Sequence, residues 1–223
     1  LEAEWNDAQV VDEALKRGRE ACGEAHRLFS IADEKALRAD VRTNYGLAVN
    51  GIAWRSEQEG HHRKDLFELA KKELNAALEC WVDQREQWRP ALAEMALGMA
   101  DYYLAAPSKD LVLLANAYGI TEHAIETLGR VKGRSDVAQT QARAMQGCAG
   151  YAEAHAEWSG DPGGFRKSGY WFHRAGETFA ACNLTAESAE AERSERRVLS
   201  AWIEATSAKV DRAREDVLDE GGC

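Results

Sequence analysis

Proline is scarce in this chain: Pro90, Pro107 and Pro162 are the only three among 223 residues. That excludes a proline-rich linker protein. No uninterrupted apolar run approaches the roughly 18–20 residues of a membrane-spanning helix. A basic excess is also missing: 28 Lys and Arg stand against 38 Asp and Glu, a formal charge of −10. General nucleic-acid binding needs a cationic face to displace counterions, so direct nucleic-acid partners are not expected. The five cysteines, Cys22, Cys80, Cys148, Cys182 and Cys223, form no CxxC or CxxCH. A zinc site or covalent haem therefore has no support, and neither metal nor cofactor is expected. Small thiols beside Ala and Gly in apolar helical patterns read as buried side chains of a reducing, cytoplasmic setting. No charged stretch followed by an apolar core marks a signal peptide. The chain does not begin with Met, which leaves open a trimmed form or a removed leader.

β signals are nearly absent, whereas helical periodicity runs almost end to end. Eight helices are expected. The first spans about Trp5 to Ala32, and the second, capped by Asp33, spans Glu34 to Glu59. The third runs from about His62 to Trp88. Pro90 fits the first turn of the fourth, and Pro107 follows its end. Ser108 is expected to cap the fifth, through Lys132, and Ser135 the sixth, through Trp158. Ser159-Gly160-Asp161-Pro162-Gly163-Gly164 is the clearest loop. The seventh covers about Phe165 to Asn183, and the eighth Thr185 to Leu218. Short connections imply antiparallel neighbours in a single domain over residues 1–223, with 219–223 a frayed tail.

A pattern recurs along the chain. Ala14, Ala70, Ala124 and Ala175 begin similar small-xxx-medium-xx-small stretches, at spacings of 56, 54 and 51 residues. Gly51 with Trp54, Gly98 with Tyr102 and Gly147 with Tyr151 place a glycine one turn before an aromatic, at spacings of 47 and 49. Residues three and four apart share a helix face, so a small residue there admits a neighbouring helix and the aromatic fills the wider gap.

Asn50-Gly51-Ile52-Ala53-Trp54 with Ala70-x-x-x-Leu74-x-x-Ala77 resembles the tetratricopeptide (TPR) repeat. Leu97-Gly98 then Tyr102, with Ala124-x-x-x-Leu128, is similar, as is Gly147 then Tyr151 with Ala175-x-x-x-Phe179-x-x-Cys182. The resemblance covers about residues 40–183. The chain departs from the family in its period near 50 rather than about 34, and in lacking the closing proline. The resemblance implies a right-handed superhelix of about eight antiparallel helices; a closed helical bundle is the alternative. It further implies a non-catalytic protein–protein interaction module, a scaffold or regulatory subunit with a partner segment in a concave groove. By the same resemblance the groove residues are Tyr45, Asn50, Arg55, Tyr102, Tyr103 and Gln146. The acidic balance favours a partner segment with basic or apolar residues.

Chemistry-bearing residues read first as ordinary structure. Glu59, His61, His62 and Asp65 form a polar turn with only half of a carboxylate-bridged metal pattern. Glu153 and His155 point to different sides of a helix. His173 with Glu177, and His123 with Glu126, read as surface pairs. No GxSxG or Walker pattern occurs, and the Gly160–Gly164 loop reads as an interhelical turn although an anion is possible at the helix start. Among seven Trp, those at 54, 81 and 202 fit core stripes. Tyr170-Trp171-Phe172 cannot all face inward, so one is expected at the surface. The run from Glu187 to Arg197 reads as a solvated face. The competing reading is a helical enzyme or small-ligand sensor with a site between helices, with His155, His173 and Glu177 as its suspects. A structural homo-oligomer is the third.

Overall fold

A computed structural model describes residues 8–31, 34–81 and 88–220. All regular structure there is helical: α1 (Ala8–Ile31), α2 (Lys35–Gln58), α3 (Lys64–Trp81), α4 (Trp88–Ala105), a single 3-10 turn (Ala106–Ser108), α5 (Leu111–Gly129), α6 (Ser135–Ser159), α7 (Gly163–Ala181) and α8 (Thr185–Glu220). No helix among the described residues is long and apolar enough to cross a membrane. The chain divides into two compact units, Leu1–Ser108 and Lys109–Cys223.

The helix limits follow local chemistry and correct several expectations. Asp110, not Ser108, caps α5: its carboxylate accepts from the backbone N–H of Val112 (2.9 Å) and Leu113 (3.0 Å). Ser135 is the first residue of α6 rather than its cap. Gly160 ends α6 in the left-handed region (φ +72°), which glycine adopts at no steric cost. Trp88 belongs to α4, and residues 82–87 of the expected third helix lie outside the described residues. The expected Asp33 cap and residues 221–223 of the expected tail lie outside the described residues.

In unit 1, α1, α2, α3 and α4 pack as successive antiparallel neighbours. Cys22 lies by Val41 and Leu15 by Tyr45, so α1 descends as α2 ascends. Ala70, Leu74 and Ala77, the expected stripe of α3, are all fully buried. Gly46 of α2 lets Leu74 approach: a methyl group at position 46 would sit 2.6 Å from the Leu74 Cγ. Helices α2 and α4 also touch, and they run parallel. Asn50 bonds the Ala96 carbonyl across 46 positions, and Arg89 pairs with Asp40 across 49.

Unit 2 repeats this arrangement. Cys148 meets Tyr118 and Gln141 meets Ile125, which sets α6 antiparallel to α5. Gly164 approaches Ala156, and Thr178 approaches Met145, which sets α7 antiparallel to α6. Alternate helices again meet in parallel: Trp171 bonds Tyr118 across 53 positions, and Arg197 bonds Glu153 across 44. In both units, then, a helix reaches its second neighbour at nearly the spacing of the sequence repeat.

Of the glycine-aromatic signature, Gly98 is buried as its packing role requires, whereas Gly51 departs from that role. Gly51 is exposed, and a methyl group there would meet nothing within 4 Å. With no close neighbour, the Gly51→Ala variant is expected to gain about 0.5–1 kcal/mol by lowering the entropy lost in a helix interior. Urea denaturation of the two proteins checks this.

Candidate functional site

The expected groove residues separate into those spent on packing and those left at a surface. Tyr45 is buried between α1 and α2. Its hydroxyl donates to the Leu15 carbonyl (3.3 Å), and burial is the first cause of its raised pKa. Asn50 is fully buried; its amide donates to the Ala96 carbonyl at 2.6 Å and ties α2 to α4. Gln146 sits half-buried on α6 in unit 2.

Arg55, Tyr102 and Tyr103 occupy the C-terminal ends of α2 and α4, which the parallel pairing brings side by side. Tyr103 stacks on Phe67 of α3, with ring centroids 4.9 Å apart and planes 10° apart. Tyr102 meets Tyr103 edge-on at 5.1 Å. Trp54 lies beside the Tyr103 hydroxyl. Burial, and then the neighbouring Tyr102, push the Tyr103 pKa up, while Trp54 beside it opposes them. Arg55 remains exposed and pairs with Glu59 at 3.5 Å. His62 at the edge bonds Glu57 at 2.7 Å.

Trp54 corrects an expectation, because it is 47% exposed rather than part of the core. The core face of α2 is set by Tyr45, Gly46, Val49, Asn50 and Ala53. One residue beyond Ala53 turns the helix by about 100°, which carries Trp54 outward. Trp81, by contrast, is buried at 4% exposure. The outcome is a half-open aromatic cluster in which Tyr103 stacks on Phe67 and meets Tyr102 edge-on.

A second feature lies wholly in unit 2. A cleft of about 310 Å³ opens between α5, α6 and the start of α7. Leu114, Ala115 and Ala152 give it apolar surface, and Tyr118 and Tyr151 give it aromatic walls. His155, Asp161, Arg166 and Lys167 bring polar groups to it. Gly163 and Gly164 line it where α7 begins. The Tyr118 hydroxyl accepts from the Trp171 indole N–H at 2.7 Å, and burial is the first cause of its raised pKa.

The remaining suspects do not converge. His173 lies on an exposed face of α7, 3.6 Å from Glu177 and 3.3 Å from Glu195 of α8. His155 is thereby separated from the pair it was grouped with. Glu153 is engaged by Arg197, so the Glu187–Arg197 run is partly docked rather than wholly solvated. Tyr170 is the exposed member of its aromatic triplet at 52%, and Trp171 is buried. Burial pushes the Cys148 thiol up to about 12, far from nucleophilic ionisation at neutral pH. No group of three or more His, Cys, Asp and Glu suited to a metal ion occurs among the described residues.

The chain matches no family model, no curated protein and no solved structure. Its function is therefore argued from its own residues.

Proposed function

We propose that this chain is a non-catalytic protein–protein interaction module of TPR-like helical hairpins, and that a partner segment docks on the aromatic end of α2 and α4. The observation that carries this reading is Trp54: a large aromatic left 47% exposed beside the stacked rings of Tyr103 and Phe67. A Trp side chain has only two rotatable bonds and loses little entropy on binding, and Trp and Tyr dominate interface energetics. Arg55 and Tyr102 flank it and complete the docking face. Asn50 ties α2 to α4 beneath that face. The parallel contact of alternate helices favours stacked hairpins, an architecture whose stability rests on neighbouring repeats and whose surfaces serve recognition.

Trp54→Ala is expected to weaken a partner complex by about 2 kcal/mol or more, the range of interface hot spots. The test is quantitative affinity purification of the tagged full chain from its source cells, with Trp54→Ala beside the wild type. A protein enriched with the wild type and depleted with the variant supports the reading. Equal recovery with both, or no enriched protein with either, contradicts it.

A further inference from the structure

We propose that the cleft between α5, α6 and the start of α7 binds a small amphipathic carboxylate, an apolar or aromatic body ending in one carboxyl group. This concerns unit 2 alone and stands whether or not the docking reading of unit 1 holds. The volume of about 310 Å³ lies at the lower end of the range for small-ligand clefts, too small for a folded partner and sufficient for one compact molecule. The apolar surface of Leu114 and Ala152 and the ring walls of Tyr118 and Tyr151 fit an apolar body.

The charge at the rim selects the head group. Arg166 and Lys167 are both exposed, and neither has a hydrogen-bond or ion-pair partner among the described residues. Asp161, the acid that also lines the cleft, already accepts from the Gly163 backbone N–H (3.1 Å). Glu153, on the same helix as His155, is engaged by Arg197. Two unspent cations therefore border an apolar cleft in a chain of net charge −10. A carboxylate satisfies them with charge-assisted bonds, whereas a cationic ligand meets repulsion. Tyr118 adds a placed donor. Its oxygen already accepts from Trp171, so its own proton remains to be given to an acceptor.

The test is titration of the full chain with 3-phenylpropanoate and, separately, with the neutral 3-phenylpropanamide, followed by NMR and calorimetry. Saturable binding of the acid is expected, with the amide at least about tenfold weaker, the loss of one charge-assisted interaction. The double variant Arg166→Gln/Lys167→Gln, at two exposed positions, is expected to weaken the acid by a similar factor while its thermal transition is kept. Tyr118→Phe is expected to weaken it a few-fold. Equal binding of acid and amide overturns the proposal, as does wild-type affinity in the double variant. Absence of saturable binding at millimolar concentration overturns it too. A carboxyl-terminal peptide that binds where the free acid does not contradicts the assignment to a small ligand.

Discussion

The Gly164→Ala variant is expected to lose about 3 kcal/mol of stability, the upper part of the range for overpacking a close contact. A methyl group at this position would lie 2.5 Å from the Ala152 carbonyl oxygen and 2.9 Å from both the Ala156 backbone nitrogen and its Cβ. These atoms belong to the backbone and the shortest side chain of α6, so no rotamer change relieves the clash. The start of α7 must instead withdraw from α6. The gain from replacing a helical glycine has the opposite sign but amounts to only about 0.5–1 kcal/mol. Gly163→Ala is the control. Its methyl group would meet only the Asp161 carboxylate, at 3.2 Å, and that side chain can swing aside. Chemical denaturation of the two variants reads the difference. Equal stability of Gly164→Ala and wild type would mean that α6 and α7 do not approach as closely as described.

Lys71→Met is the second large effect. Asp101 is fully buried on α4, and its carboxylate lies 2.6 Å from the Lys71 ammonium on α3. Removing one partner of a buried pair leaves a buried charge less well compensated, at a cost of about 3–5 kcal/mol. Lys71 is itself 36% exposed, so water reaches the site and the lower end of that range is expected. The double variant Lys71→Met/Asp101→Leu is expected to recover most of the loss, because apolar pairs of similar volume replace buried ion pairs at little net cost. A double-mutant cycle in urea separates the terms. If Lys71→Met alone leaves stability unchanged, the pair does not hold α3 to α4.

The helices were legible in the sequence because their signal is periodic and local. Ala70, Leu74 and Ala77 lie three and four residues apart and are all buried, and so are Ala124, Leu128, Ala175 and Phe179. The corresponding first stretch carries less weight, since Ala14 and Ala21 are exposed. Caps were less legible: Ser108 and Asp110 are both competent, and backbone geometry decides between them. Side-chain direction was the least legible. Trp54 and Ala53 are adjacent in sequence, yet one is exposed and the other buried, because the partner of that face is Ala96 and its neighbours on α4, far along the chain. The repeat resemblance places Asn50 in the concave groove, but that same long-range contact turns it inward.

The cleft in unit 2 was visible only in fragments. The Gly160–Gly164 loop and His155 each stand out, the first as a turn and the second as a suspect for a site between helices. Bringing them together requires three helices to converge, and the wall residue Tyr118 carries no local signal at all. Its role depends on Trp171, which lies 53 positions away.

The central claim is that Trp54 marks a docking face for another protein. Photo-crosslinking tests it most directly. A benzophenone amino acid replaces Trp54 in the full chain, and the same group replaces Val112, a surface residue 82% exposed on the other unit. Both proteins are irradiated in the source cells. The account predicts a discrete adduct with a different protein from position 54 that is missing from position 112. Adducts at 54 with a second copy of this chain, or the same adducts from both positions, would contradict it.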